Sequence, residues 1–234
     1  TVAGDVEHAQ VVEAATRLLG DWVPAPVPSA LTCLPPRDVP RVRLEHRTTE
    51  QVNFCLIMPG LSYNDPDYYA LTVLNAILGD GMSSRLFFEV REQQGLAYDV
   101  SSAPVSYHDT GSFVVYAGVD PVRTAAALRA ILAELSRLRL EPVSEDELQR
   151  AKEYTKGRMA LRLEDTHSVA SWLGGQEALR GKVLELDDVL ARFDAVTCGD
   201  IRRVAERLFR DEWLRLAMIG PHHNEVEFDR LLTL

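Results

Sequence analysis

Proline crowding between residues 21 and 40 constrains this chain more than any other feature. DWVPAPVPSALTCLPPRDVP places prolines at 24, 26, 28, 35, 36 and 40. Each proline fixes φ and removes a backbone donor, so neither a helix nor a central strand runs through such a stretch. It reads as an extended linker. The chain therefore divides into a head (1–20), a linker (21–40) and a body (41–234). In the head, Val2 and Ala3 run into Gly4-Asp5, a turn signal, and Val11, Val12, Ala15, Leu18 and Leu19 recur at helical spacing. A strand end with so little before it is expected to be the tail of a preceding domain.

The body switches between two periodicities. RVRLEHR (41–47) alternates, as a half-buried strand does, and QVNFCLIMPG (51–60) is apolar enough for a buried one. Asp65 as cap and Pro66 at the first helical position start a helix that runs to Gly79. A second helix takes Ser83 to about Gln94, ended by Gly95. Strands are expected at 97–109 and 111–119. Helices follow at about 120–140, 144–163, 166–180, 186–194 and 198–209, the second of these opened by a capping box at Ser144–Glu147. WLRLAMIG (213–220) is a closing strand, and a short helix ends the chain. Strands and helices do not simply alternate, so the fold class is α+β: a mostly antiparallel sheet covered on one face by helices.

The charge balance excludes one class of partner. With 25 Lys and Arg against 35 Asp and Glu, the formal net charge is −10. Non-specific nucleic-acid binding, which depends on cations meeting phosphate, is not expected. No apolar run is long enough to span a membrane. Cys33, Cys55 and Cys198 are far apart and odd in number, with no CxxC, so neither a disulfide framework nor a structural zinc site is expected. A reducing compartment fits this usage, and a cytoplasmic location is the expectation.

The usual chemical signatures are weak. His8, His46, His108, His167, His222 and His223 form neither HExxH nor the inverted HxxEH. Gly79-Asp80-Gly81 follows a helix rather than a strand and lacks the Gly-Lys-Ser/Thr of a phosphate loop. Cys55 lies in an apolar strand and is expected in the core. No GxSxG occurs. The stretch SSRLFFEVREQQGLAYDVSS (83–102) carries more. At 100° per residue, Leu86 and Val90 make the buried stripe and Arg91 falls beside Phe87 at its border. Seven residues on, Tyr98 begins a strand. A guanidinium and a phenol both donate hydrogen bonds, and together they can hold a peptide carbonyl or the oxyanion developing on it. The same pattern also fits a structural arginine packed on an aromatic ring.

GLSYNDPDYYALTVLNAILGDGMSSRLFFEVREQQGLAYDVSS resembles the C-terminal half-domain of the pitrilysin/insulinase-type (inverzincin) zinc metallopeptidases, in particular their processing-peptidase-like bacterial branch. The likeness extends over nearly the whole chain. VAGDVEHAQVVEAATRLLG is similar to the tail of the family's N-terminal half, and WLRLAMIGP to the closing strand of its C-terminal half. The resemblance implies two α+β halves around a chamber. The N-terminal half carries HxxEH, the zinc and the glutamate base. The C-terminal half binds no metal and contributes an arginine and a tyrosine, seven apart, that contact the peptide substrate. Arg91 and Tyr98 match those two positions. HxxEH is missing here, so this chain is expected to be inert alone and to need an N-terminal half or a zinc-bearing subunit as partner. A homo- or heterodimer is compatible with the resemblance. The alternative is a non-catalytic partner subunit or scaffold of the same family.

Overall fold

A computed structural model describes residues 1–26, 31–33 and 39–234. Its centre is a five-stranded sheet in the order β1-β5-β2-β4-β3, built from β1 (Val42–His46), β2 (Val52–Pro59), β3 (Ala97–Ser106), β4 (Gly111–Val119) and β5 (Arg215–Gly220). β2 pairs antiparallel with both β4 and β5, and β3 antiparallel with β4, while β1 pairs parallel with β5. The mostly antiparallel α+β expectation is met.

Strict alternation in β2 decides which face is buried. Val52, Phe54, Leu56 and Met58 point into the core, as do Phe113, Val115, Ala117 and Val119 of β4. The register sets the large Phe54 between the smaller Ala117 and Met218, so the layer fills without overpacking. Three helices cover this face: α2 (Tyr68–Leu78), α3 (Thr124–Leu140) and α7 (Cys198–Leu208). They contribute Leu71, Leu74, Leu128, Ile131, Ile201 and Val204, all essentially inaccessible. Each such side chain stabilises the fold by about 1.5–3 kcal/mol relative to exposure. The opposite face is open. Cys55 lies on it, half-buried, because odd residues of β2 point away from the helices. The expectation that Cys55 is core is corrected by the strand's period of two.

The helix starts teach a second correction. α2 begins at Tyr68, three residues after Asp65. The Asp65 carboxylate accepts from the Asp67 N–H at 2.9 Å and is clamped by Arg207 at 2.7 Å, which holds residues 65–67 as a turn outside the helix. Around α4 (Glu145–Arg162), only half of the expected capping box forms. Ser144 Oγ accepts from the Glu147 N–H, but the Glu147 carboxylate is taken by Arg85. The reciprocal box sits at α7, between Thr197 and Asp200. α5 (Thr166–Arg180), α6 (Leu186–Asp194) and α8 (Glu225–Leu231) complete the helical layer.

The head forms a helix, α1 (His8–Leu19), that buries none of its residues. Val2 and Ala3 are not in a strand, contrary to the sequence pattern. Of the linker, residues 21–26, 31–33 and 39–40 form neither helix nor strand, and its remaining part lies outside the described residues.

Candidate substrate-contact site

The corner carrying Arg91 and Tyr98 is built from residues that are not themselves available. Ser84, 1% exposed, donates its hydroxyl to the Gly81 carbonyl at 2.7 Å and closes the turn after α2. Arg85 makes a two-pronged bond to Glu147 at 2.8 and 2.7 Å, tying this corner to the first turn of α4. Leu86 and Val90 are fully buried. Between these anchors the chain winds as a π-helix, Leu86–Gln93. A π-helix carries i→i+5 bonds, is rare, and frequently occurs at functional sites. The 100° wheel does not describe this winding, yet it places Arg91 correctly: its guanidinium lies 4.9 Å from the Phe87 ring centre. Gly95, at φ +59°, turns the chain out of the helix, a conformation that strains any residue with a Cβ. The Arg123 Nη1 donates to the Gly95 carbonyl at 2.7 Å and pins that turn.

Tyr98 owes its direction to a β-bulge. Ala97 pairs with Val119 and Asp99 with Gly118, so Tyr98 is the extra residue. A bulge sets two residues against one on the partner strand. Ala97 and Val100 both keep their core positions, and Tyr98 and Asp99 are both exposed. Tyr98 is 61% exposed, and its hydroxyl has no hydrogen-bond partner among the described residues. Arg91, with 43% of its side chain exposed, has only Glu92 as an ion-pair partner among the described residues, at 3.7 Å. An exposed pair of this kind adds almost nothing to stability. Arg91 and Tyr98 stand on adjoining elements, the π-helix packing against β3, and no hydrogen bond or ring contact joins them. Two donors thus stand at one corner with donor capacity unspent.

The other candidates take structural roles. In the Gly79–Gly81 turn, a Cβ on Gly79 would collide with Ser102, and Asp80 accepts from the Arg158 Nη1 at 2.6 Å through each of its oxygens. That turn serves close packing and an ion pair. His46 and His223 stack face to face, 3.7 Å between centres, and His222 Nε2 lies 3.0 Å from the Thr124 hydroxyl. Among the described residues, no group of three or more His, Cys, Asp or Glu is placed to hold a metal ion. Cys198 lies 3.4 Å from Glu145, and burial together with that carboxylate pushes its thiol up, away from nucleophilic reactivity. Burial pushes the Cys55 thiol up as well.

A family model described as Peptidase M16 inactive domain matches residues 1–155. The chain belongs to this family. It is 39% identical over 228 residues to an uncharacterized zinc protease of Streptomyces coelicolor, covering 94% of this chain and 49% of that protein. The uncharacterized zinc protease YmxG of Bacillus subtilis is 38% identical, over 76% of this chain and 43% of its own length. A solved protease from Helicobacter pylori superposes with a TM-score of 0.84 at 24% identity, covering 94% of this chain and 54% of that one. A peptidase M16 inactive domain from Pseudomonas fluorescens gives a TM-score of 0.82 at 20% identity, over 95% of this chain and 53% of that one. At these identities the two structures show a shared fold. The resemblance drawn from residues 60–102 is therefore borne out as membership of this family. The chain spans about half the length of the curated relatives it matches. Among the described residues, no helix is long and apolar enough to cross a membrane.

Sequence reasoning missed what holds Arg91 and Tyr98 in place. Arg85 and Glu147 are 62 residues apart, and Arg123 and Gly95 28 apart. No local pattern signals either pair. Two adjacent polar residues after an apolar one, Ala97-Tyr98-Asp99, were the only visible hint of the bulge.

Proposed function

We propose that this chain is the substrate-holding half of a zinc-dependent endopeptidase acting on peptides, and that it is inert alone. The carrying observation is the contrast within one corner: Arg91 and Tyr98 offer unspent donors, while the residues that position them are buried and bonded. Peptide backbone presents carbonyl acceptors, and a guanidinium and a phenol are suited to them. Placed against a reacting carbonyl, the same donors would stabilise developing negative charge. The Arg91 guanidinium is held partly in place over the Phe87 ring. Tyr98, displaced by the bulge, projects from the sheet without disturbing the core on either side. The relatives are named zinc proteases and are about twice as long. In this reading the metal-binding residues and the base belong to an N-terminal half or a zinc-bearing partner subunit, and no step through the metal is assigned to this chain.

The test is a comparison of two proteins. The full-length product is expected to cleave a mixed peptide library in a chelator-sensitive manner, and the 234-residue chain is expected to cleave nothing. Zinc-dependent cleavage by the purified 234-residue chain would overturn the reading. An inert full-length product would instead favour the non-catalytic subunit.

A further inference from the structure

Away from that corner, a cavity of about 660 Å³ opens between α2, α4, α5 and α6. Its volume falls in the range of small-molecule sites. Its charged lining is three arginines, Arg158, Arg162 and Arg180, against one aspartate, Asp80, in a protein of net charge −10. Asp80 is already bound by Arg158. Arg162 has no hydrogen bond or ion pair among the described residues. Among the described residues Arg180 has no carboxylate partner either. Its guanidinium lies 4.6 Å from the Tyr68 ring centre and 5.8 Å from that of Tyr63, and its Nη1 is 3.4 Å from the Tyr69 hydroxyl. Those rings fix the guanidinium's position and leave donors free. Tyr154 and Trp172 add aromatic surface to the same cavity.

We infer that this cavity is a binding site for a compact aromatic ligand with an oxyanion head, a carboxylate or a phosphate. Arg162 and Arg180 supply planar forks that match either head in a two-pronged bond. The aromatic walls supply the surface for a planar body. The geometry disfavours an extended peptide. Such a ligand needs backbone donors and acceptors from its host, as a sheet edge provides. The principal walls, α4 and α5, are helices whose backbone groups are spent internally. The cavity also stays open where it could have closed: α5 carries Gly175 in its interior, and a Cβ there would meet nothing within 4 Å.

The experiment is calorimetric titration of the full-length protein with 2-naphthoate, 2-naphthyl phosphate and the uncharged 2-naphthamide. At least one of the two anions is expected to bind with a Kd of about 1 mM or tighter. The amide is expected to bind at least tenfold more weakly, and the tighter of the two anions identifies the head group. Arg162→Gln and Arg180→Gln are each expected to weaken the anion at least tenfold with an unchanged melting temperature. Should Arg180→Gln unfold the protein, the exposed Arg162→Gln and the cavity-filling Gly175→Leu still decide the matter, the latter being expected to abolish binding in a folded protein. No binding of either anion, equal binding of amide and anion, or binding unaffected in Arg162→Gln and Gly175→Leu would each overturn the inference.

Discussion

Two sets of residues on one continuous stretch of chain, Ser84, Arg85, Leu86 and Val90 against Arg91–Gln94, Tyr98 and Asp99, are treated in opposite ways by the fold. In the first, Ser84, Leu86 and Val90 are buried and Arg85 is bound through two donors. In the second, Arg91 through Gln94, Tyr98 and Asp99 are exposed, and the Tyr98 hydroxyl has no hydrogen-bond partner among the described residues. Under the proposed function, the first part is a mount and the second part is what it carries. The π-helix and the bulge are the devices that pass from one to the other.

The largest effect separating the two parts is expected at Leu86. Leu86→Ala should destabilise the fold by about 2–5 kcal/mol, read by denaturant unfolding, because a fully buried side chain leaves a cavity. Next comes Arg85→Ala, at about 2 kcal/mol. It strands the Glu147 carboxylate, whose side chain is only 23% exposed. The Asp65–Arg207 contact gives a smaller effect with a definite sign in pH. Burial raises the Asp65 carboxyl, but the Arg207 hydrogen bond, the Asp67 N–H and the Arg207 charge outweigh it, and the pKa lies below the ordinary carboxylate value. The folded pKa is therefore below the unfolded one. Its contribution is complete above the unfolded pKa and is lost as pH falls through the folded one. Arg207→Ala should flatten that acid limb and cost about 1 kcal/mol near neutrality, since Arg207 is well exposed. The smallest stability effects are expected at Arg91→Ala and Tyr98→Phe, within about 0.5 kcal/mol of wild type. A loss of 2 kcal/mol at either would make it part of the mount and collapse the comparison.

How much of this was legible in the sequence depends on the range of the interaction. The alternation Val52, Phe54, Leu56, Met58 and the stripe Leu86, Val90 report local periodicity, and both elements are present. The α2 start was misplaced because Asp65, Pro66 and Asp67 compose a good cap, while the decisive partner, Arg207, lies 142 residues away. The parallel pairing of β1 with β5 joins strands from opposite ends of the body, which periodicity does not encode. Arg91 and Tyr98 were singled out by residue type and spacing. The bulge that turns Tyr98 outward is set by pairing across to β4, where Ala97 faces Val119 and Asp99 faces Gly118, and that register is not written in the local sequence. The arginine-lined cavity was invisible because Arg158, Arg162 and Arg180 come together only through the packing of α4, α5 and α2.

The central claim is that Arg91 and Tyr98 act on substrate rather than on the fold. Its most direct test is kcat/KM for chelator-sensitive peptide cleavage by full-length wild type, Arg91→Ala and Tyr98→Phe, with melting temperatures measured on the same samples. The account predicts at least a tenfold loss in each variant, about 1.4 kcal/mol of transition-state stabilisation, at unchanged melting temperature. Full activity in both variants, or losses that track a lowered melting temperature, would contradict it.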